Sequence, residues 1–304
     1  MNAKHVERKS AAGRRTAPSP SFSHHGAARE SVVYPGPVGS HTASAAAALF
    51  PSAQLVPLAG FRAVVDAVRD AEAEHGVLPI ESSLVGAVAE THDLLYEGSL
   101  SIVAETVQPI VHCLAGPDAI DLSLVRVVRS HPMALDQCRS FLGALPHAAV
   151  LPVSTTAEAA RLAREDGDPT HVAIVAPSAV PMYGLTMLAD DIGDHTAYTR
   201  FVSVARYTRA FDLDRSAART AFSFVTKHQP GALHKAIGPI ADAGLDLERL
   251  VSRPLPRTAW KYRFDAVVSG HPLDPAVQRA LAGVKAESRE LRVLGVYEAH
   301  EEGV

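Results

Sequence analysis

The chain has 304 residues, of which 47% are hydrophobic and 20% are charged, and its formal net charge at pH 7 is −4. This composition is typical of a globular protein, and the length fits two folded units. The small negative charge excludes the strongly basic surface of a nucleic-acid-binding protein. No apolar run approaches the ~20 residues that a membrane-spanning helix needs. We therefore expect neither nucleic acid nor a membrane as a partner.

The N-terminal residues and the two cysteines bear on where in the cell the protein is located. Residues 1–30 are basic and polar and lack the apolar segment of a secretory signal, so we interpret them as a disordered arm. Cys113 and Cys138 have neither the number of a disulfide framework nor the spacing of a metal site. A reducing cytoplasm is the simplest location for such a protein.

From residue 31 onward, apolar runs of strand length alternate with helical patterns. SVVY, LVPL and GVLPI predict buried strands, and TASAAAALF predicts a helix that begins at Thr42. The run SIVAETVQPIVHCLAG at 101–116 is long enough to carry the chain from one lobe to another. Further strand–helix pairs continue to residue 207. The alternation predicts an α/β domain over 31–207, made of two lobes with a ligand cleft between them.

The pattern changes after residue 207. A polar and charged stretch at 208–218 predicts a linker. Residues 219–298 then read strand, helix, strand, strand, helix, strand, which is the order of a ferredoxin-like βαββαβ unit. Residues 299–304 would form a short tail.

Two polar loops follow predicted strands in the first half, at the sheet edge where open α/β folds bind ligands. In GPVGSHT, Gly39 permits a close backbone approach, and Ser40 and Thr42 add hydroxyls at a helix N-terminus, which attracts anions. In PIESSLVG, the acidic Glu81 is followed by Ser82 and Ser83. Both loops also have a purely structural interpretation as turns with helix caps.

Two more polar segments lie further along the chain. In SHPMALDQC, Ser130 and Gln137 are about two helical turns apart. In DHTAYTRF, Thr199 precedes Arg200, whose planar fork suits a carboxylate. The structural alternative for this pair is a strand-edge threonine beside a surface ion pair.

Taken together and in order, YPGPVGSHT, GVLPIESSLVGAV, SHPMALDQC, STTAEAA and the triplet Thr199-Arg200-Phe201 resemble the prephenate dehydratase family. The segment PGALHKAIGPIADAGLDLERLVSRP is similar to the paired signatures of the ACT domain that follows the catalytic domain in these enzymes. The resemblance covers about residues 31–297. It implies a two-lobed, periplasmic-binding-protein-like catalytic domain followed by an ACT domain. No chorismate mutase domain precedes the first motif, so we expect the monofunctional type.

The resemblance also implies a reaction, in which prephenate loses its ring carboxylate and ring hydroxyl to give phenylpyruvate for phenylalanine synthesis. Because hydroxyl is a poor leaving group, a positioned proton donor lowers the barrier. The resemblance assigns that role to Thr199, and Glu81 could be its partner in a proton relay. Aromatisation drives the loss of CO2, so no metal or organic cofactor is expected. The residues implied to bind substrate are Arg200, Ser82, Ser83, Ser130, Gln137, Gly39, Ser40 and Thr42.

An ACT domain further implies regulation by L-phenylalanine, bound at an interface between paired ACT domains. Such pairing would make the protein a homo-oligomer, either a dimer or a tetramer. The implied effector contacts are Gly231, Ala232, Leu233, Ser252, Arg253 and Pro254.

The chain departs from the family pattern at a few positions. Ser82 stands where the family usually has Asn, Met133 where it usually has Gln, and Val251 where it usually has Glu. In the first loop, Val38 and His41 replace an acidic or polar residue and an aromatic residue, respectively. The departure at Ser82 is the most serious, because the Asn is thought to line the substrate site.

Two other functions therefore stay open. A non-aromatising prephenate decarboxylase would share the scaffold, remove CO2 and keep the ring hydroxyl. A catalytically silent sensor of aromatic metabolites would bind without turnover. The Thr199-Arg200-Phe201 triplet and the ACT domain favour the dehydratase over the decarboxylase. A proton donor has no use in a pure sensor, which favours an enzyme.

Overall fold

The computed structural model describes residues 30–98, 100–207, 213–256 and 258–300. The predicted arm at 1–30 lies outside the described residues except for Glu30, as do 208–212 of the predicted linker and 301–304 of the predicted tail. Within the described ranges, no helix combines the length and apolar character needed to cross a membrane.

The strands of the described residues are numbered in chain order. They are β1 Ser31–Pro35, β2 Gln54–Leu58, β3 His75–Ser82, β4 Gly86–Ala87, β5 Ser101–Ile110, β6 Cys113–Gly116, β7 Val127–Ser130, β8 Ala149–Pro152, β9 His171–Val175, β10 Thr186–Ala189, β11 Ala197–Ala205, β12 Ala218–Thr226, β13 Leu247–Pro254, β14 Tyr262–Ser269 and β15 Ser288–Glu298.

The helices are numbered in the same way, and a short 3-10 turn at Leu122–Leu124 accompanies them. They are α1 His41–Leu49, α2 Phe61–Arg69, α3 Ala89–Glu97, α4 Pro132–Gln137, α5 Arg139–Gly143, α6 Thr156–Asp166, α7 Ala179–Met182, α8 Ala232–Asp242 and α9 Pro275–Glu287.

Two sheets divide the first two thirds of the chain into two lobes. The first lobe holds β1, β2, β3, β5 and β11, in the order β5-β11-β3-β1-β2, and β4 pairs with β3. The second lobe is a separate sheet in the order β10-β6-β9-β7-β8. The apolar run at 101–116 contributes β5 to the first sheet and β6 to the second. It therefore carries the chain between the lobes, as its length predicted.

The last third of the described chain, 218–298, is called the C-terminal unit here. Its elements follow the order β12, α8, β13, β14, α9, β15, and its strands lie side by side as β13-β14-β12-β15. This arrangement confirms the predicted ferredoxin-like βαββαβ fold. Both helices cover one side of the sheet, where Phe222, Ala236 and Val284 belong to one buried cluster.

The C-terminal unit continues the sheet of the first lobe, which the sequence did not predict. β15 runs parallel to β5, and Gly295 lies opposite Ile102. A side chain at Gly295 would collide with the backbone of Ile102, so a glycine is needed at this close approach. Leu94 and Val202 of the first lobe share a buried cluster with Tyr297 of the C-terminal unit. The two parts are therefore joined by a common apolar core.

The N-termini of two helices can be compared with the capping residues that the sequence predicted. The predicted cap of α6 is confirmed, because Thr155 Oγ1 accepts a hydrogen bond from Glu158 N at 2.9 Å. The start of α1 differs from the prediction by one residue. The helix begins at His41, and the cap is Ser40, whose hydroxyl accepts from Ala43 N at 3.2 Å.

Candidate active site

Strand β11 lies at the centre of the candidate site, between β3 and β5. Thr199 lies opposite Ser82 on β3 and opposite Gln108 on β5. Arg200 lies opposite Glu81 on β3. Since successive side chains of a strand point to opposite faces, Thr199 and Arg200 face different surroundings.

Thr199 lies on the face of the sheet that α1 covers. Phe201, two residues further along β11, is buried with Tyr34, Ala43 and Val77 on that face. The Thr199 side chain is partly exposed, and its hydroxyl makes no hydrogen bond to any group in the described ranges. The hydroxyl is therefore available to a ligand on the α1 face.

The glycine loop before α1 connects the two lobes. Gly39 has a φ of 80°, and a Cβ there would lie 3.0 Å from Ala179 Cα of the second lobe. The Ser178 hydroxyl donates to Gly39 O at 3.3 Å, and the Tyr183 hydroxyl donates to Val38 O at 3.2 Å. The sequence predicted that the backbone at Gly39 would closely approach a ligand. In the structure it closely approaches α7 instead. The loop leads into α1, whose first turn contains Thr42.

Two histidines lie where the chain crosses from the first lobe to the second. The His41 and His112 rings make an edge contact, with centroids 5.8 Å apart. His112 is only 4% exposed, and its Nε2 donates to Gln137 Oε1 at 2.6 Å, because an amide oxygen can only accept. The sequence predicted Gln137 as a substrate ligand but did not select His112.

Burial keeps both imidazoles neutral at pH 7. It lowers the pKa of His41 to about 4, with the neighbouring His112 as a second cause. Burial also lowers the pKa of His112, partly offset by the hydrogen bond to Gln137. Among the described residues, His41 Nε2 and His112 Nδ1 are buried without a hydrogen-bond partner. Both nitrogens can therefore serve a polar group of a ligand.

The serine pair at the end of β3 makes contacts within the protein. Ser83 Oγ accepts from Tyr198 N at 2.9 Å, and Ser83 N donates to Tyr198 O at 2.9 Å. Ser82 Oγ accepts from Leu84 N at 3.3 Å within its own turn. Ser82 nevertheless remains on the strand position opposite Thr199.

Ser130 departs from its predicted role. Its side chain is fully buried, and its hydroxyl donates to Ile174 O at 2.7 Å. This contact closes β7 onto β9 inside the second lobe. The structure therefore places Ser130 in the core rather than at a substrate.

Glu81 and Arg200 also depart from their predicted roles. Arg200 Nη1 lies 2.6 Å from Glu105 Oε1, and Arg200 Nε lies 3.5 Å from Glu81 Oε2. Glu81 Oε2 lies 3.8 Å from Arg249 Nη1 of the C-terminal unit. Both side chains thus point to the face opposite Thr199. This geometry contradicts a proton relay from Glu81 to Thr199, and it contradicts a shared carboxylate site of Arg200 and Thr199.

The predicted effector residues are divided between two places. Gly231, Ala232 and Leu233 form the start of α8, with Gly231 as its cap at a φ of 75°. Ser252 and Pro254 are exposed on β13. Arg253 differs from the prediction, because its Nη2 lies 2.8 Å from Asp93 Oδ2 on α3. Its guanidinium faces the first lobe rather than the outer surface.

Comparison with protein-family models matches residues 32–209 to the family described as prephenate dehydratase. The chain belongs to the prephenate dehydratase family. The match spans both lobes and contains Thr199, so the sequence resemblance is confirmed at the level of the family.

Individual relatives extend the similarity into the C-terminal unit. The prephenate dehydratase of Amycolatopsis methanolica is 35% identical over 90% of this chain and 90% of its own length. A bifunctional N-acyl-homoserine lactone acylase/prephenate dehydratase of Komagataeibacter europaeus is 34% identical over 88% of this chain and 95% of its own. The structure of the Arthrobacter aurescens prephenate dehydratase in complex with L-Phe has a TM-score of 0.81 and 33% identity. It covers 88% of this chain and 90% of that one.

Sequence reasoning missed Glu105 and Arg249, which supply one of the two carboxylates and one of the two guanidiniums on the second face of β11. A signal for Glu105 was present, because it interrupts the apolar residues of β5 and buried strands seldom hold an unpaired charge. Arg249 gave no comparable signal, since the surrounding LDLERLVSRP reads as an ordinary exposed strand. Only the contact between the two parts of the protein makes its role visible.

Proposed function

We propose that this chain catalyses the decarboxylative dehydration of prephenate to phenylpyruvate in the synthesis of phenylalanine. The observation that carries this proposal is the Thr199 hydroxyl, which is unpartnered within the described ranges and aligned between β3 and β5 on the α1 face. Family membership supplies the reaction class, and this hydroxyl supplies a group that can act on the leaving oxygen.

In the proposed reaction, Thr199 donates a hydrogen bond to the ring hydroxyl of prephenate. The bond between the ring and the carboxylate breaks to release CO2, and its electron pair enters the ring. The carbon–oxygen bond breaks as the hydroxyl takes up one proton from the solvent and leaves as water. The gain of aromaticity drives both cleavages, so Thr199 needs only to stabilise charge that develops on the departing oxygen.

The polar groups between the lobes are suited to hold the substrate. Thr42 at the start of α1 and the amide of Gln137 can donate to carboxylate oxygens. His41 and His112 are neutral at pH 7 and add no charge. His41 can donate or accept, whereas His112, whose one proton is on the Nε2 bonded to Gln137, can only accept at Nδ1. Neutral donors can orient prephenate without holding its product carboxylate as firmly as an arginine would.

The C-terminal unit is proposed to be an ACT regulatory domain that binds L-phenylalanine between two copies. The Arthrobacter aurescens relative was solved with L-Phe, and its chain aligns with this unit as well as with the lobes. β13 is an end strand of its sheet and exposes Ser252 and Pro254, so a second copy can pair beside it. Gly231, Ala232 and Leu233 remain the proposed effector contacts at the start of α8. A dimer through β13 follows from this arrangement.

The reducing cytoplasm is the proposed location of the enzyme. Cys113 and Cys138 are both buried and free. Two unpaired thiols are typical of a protein that folds in a reducing compartment.

A second activity is suggested by the Komagataeibacter europaeus relative, which is named as an acylase as well as a prephenate dehydratase. Hydrolysis of an N-acyl-homoserine lactone needs a nucleophile or an activated water. The two cysteines are unsuitable nucleophiles, because burial raises the pKa of each thiol to about 12. Any acylase activity would therefore depend on a hydroxyl nucleophile, such as that of Thr199, or on an activated water.

The deciding experiment is product identification after prephenate is mixed with the purified full chain at neutral pH. Release of phenylpyruvate supports the dehydratase. A dihydro-hydroxyphenylpyruvate would identify the non-aromatising decarboxylase, and tight binding without turnover would identify a sensor.

A parallel incubation with an N-acyl-homoserine lactone tests the second activity. Calorimetry with millimolar L-phenylalanine tests the regulatory domain, and absence of binding would count against it.

A further inference from the structure

A buried carboxylate lies on the face of the sheet that Thr199 does not use. The Glu105 side chain on β5 is 2% exposed. Its Oε1 lies 2.6 Å from Arg200 Nη1, and its Oε2 lies 2.7 Å from Arg249 Nη2. A charge removed from water in this way is strongly unfavourable unless it is paired and hydrogen-bonded. Glu105 therefore depends on both guanidinium groups.

The cluster closes into a ring that spans the two parts of the protein. Glu81 lies 3.5 Å from Arg200 Nε and 3.8 Å from Arg249 Nη1. Two carboxylates thus alternate with two guanidiniums, and their formal charges cancel. Arg249 Nη2 is fixed further by a 2.8 Å hydrogen bond with the hydroxyl of the buried Tyr297. Burial by itself would lower the pKa of Arg249, but Tyr297 and Glu105 raise it.

Two of the three first-lobe members of the ring, Arg200 and Glu81, are adjacent to residues of the candidate site. Arg200 follows Thr199 on β11, and Glu81 precedes Ser82 on β3. Between Arg200 and Phe201, the partner on β3 shifts from Glu81 to Pro79, which leaves Ile80 unmatched. Such a bulge re-aims the side chains around it and needs support from its neighbours. The ring supplies that support from the side opposite the substrate.

We propose that Arg249 of the C-terminal unit is a positioning residue for the reaction: by holding Glu105 and Glu81, it fixes β11 and β3 so that Thr199 meets the substrate. This inference rests on the proposed dehydratase function. It makes the C-terminal unit part of the catalytic geometry, because Arg249 is the member of the ring that the first lobe cannot supply.

The same strand offers a route for regulation. On β13, Arg249 and Arg253 face the first lobe, whereas Ser252 and Pro254 are exposed on the outer side. An effector or second copy that contacts the outer side would therefore touch the same strand that carries Arg249.

The test compares Arg249→Met with Arg292→Met in the full-length protein. Arg292 is a matched control, because it also reaches from the C-terminal unit to the first lobe. Its guanidinium donates to the carbonyl oxygens of Tyr96 and Gly98 at the end of α3, away from β11. We expect Arg249→Met to lower kcat by about tenfold or more, because small misplacements of a reacting group are costly. The KM should change by less than about threefold, and Arg292→Met should keep kcat within about twofold.

Arg249→Lys covers the case in which Arg249→Met does not fold. Lysine keeps the charge but cannot span two carboxylates with a planar fork, so a smaller loss of kcat at unchanged KM is expected. Wild-type kcat in a folded Arg249→Met or Arg249→Lys protein would overturn the proposal. Equal losses in the Arg249→Met and Arg292→Met proteins would also overturn it, because both would then report only a loosened contact between the parts.

Hydrogen exchange separates this proposal from the dehydratase function itself. If wild-type protein does not convert prephenate, the proposed function fails, and the role of Arg249 is judged on β11 alone. Faster amide exchange over Ala197–Ala205 in Arg249→Met, but not in Arg292→Met, is the expected result. If the amide exchange rate over this strand is unchanged in Arg249→Met, the positioning role is contradicted, whatever the activity of the protein.

Discussion

The two faces of β11 use opposite chemistry within one strand. On the α1 face, Thr199 has no hydrogen-bond partner in the described ranges, and the nearby crossing between the lobes carries neutral histidines. On the other face, Arg200 and Glu105 form a buried, charge-balanced ring with Glu81 and Arg249. Polar groups on the first face lack hydrogen-bond partners within the described residues, whereas nearly all the charged groups on the second face are paired.

This contrast indicates how contacts on one face of a strand can hold the proposed binding site on its other face. Unsatisfied polar groups cost stability, so they persist only where the surrounding fold holds them in place. The ring on the far side of the same strand can provide that rigidity. The alternation of side chains along β11 explains why two adjacent residues, Thr199 and Arg200, have unlike surroundings despite their position in one family triplet.

Among the variants that test the contrast between the two faces of β11, Thr199→Ala is expected to have the largest effect. Loss of a positioned proton or hydrogen-bond donor should lower kcat by roughly 10²–10⁴-fold. The unfolding midpoint should stay near that of the wild type, because the hydroxyl has no partner in the described structure to lose. Steady-state kinetics with prephenate and a urea titration provide the two measurements. Thr199→Ser keeps the hydroxyl and serves as the control, and undiminished turnover in Thr199→Ala would remove Thr199 from the mechanism.

Arg200→Met tests the opposite face. Because it leaves Glu105 buried with a single cation, we expect the free energy of unfolding to fall by about 3–5 kcal/mol. The KM of the folded fraction should change by less than about threefold. A substrate-binding arginine would behave differently, since a lost charge-assisted bond of about 1.5–3 kcal/mol raises the KM more than tenfold.

The control for Arg200→Met is Arg161→Met, which breaks a surface pair with Glu165 on α6. Exposed pairs of this kind contribute about 0.2–1 kcal/mol. Denaturant titrations of both variants measure the difference. A strong rise in KM for Arg200→Met would return Arg200 to the substrate site.

His41→Phe is expected to have the smallest effect on stability, and this effect should depend on pH. The unfolded chain takes up a proton on His41 near pH 6.5, whereas the folded protein keeps this imidazole neutral until about pH 4. Stability is therefore fully present above pH 6.5 and is lost as the pH falls from 6.5 towards 4. The wild type should lose about 1–3 kcal/mol more than His41→Phe across this window. Parallel pH profiles of urea stability for the two proteins would contradict the buried neutral state.

Much of the architecture followed from the sequence. Strand-length apolar runs alternating with helical patterns predicted the α/β lobes, and the order of elements after residue 218 predicted the βαββαβ unit. These features depend on local periodicity and turn residues, which any single segment carries by itself. The catalytic role of Thr199 stays a prediction from the family motifs, and the structure places this residue on β11 opposite Ser82.

What the sequence could not decide was the direction of each side chain and the contact between distant segments. A bulge at Ile80 and the alternation of β11 turn Glu81 and Arg200 away from Thr199, although all three lie close together along neighbouring strands. Glu105 and Arg249 are separated by more than half of the folded chain, and they meet only because β15 docks beside β5. Local patterns determined the elements and the family of this protein. Tertiary packing decided which polar residues face the cleft and which are buried as ion pairs, because burial and pairing depend on neighbours far away in the chain.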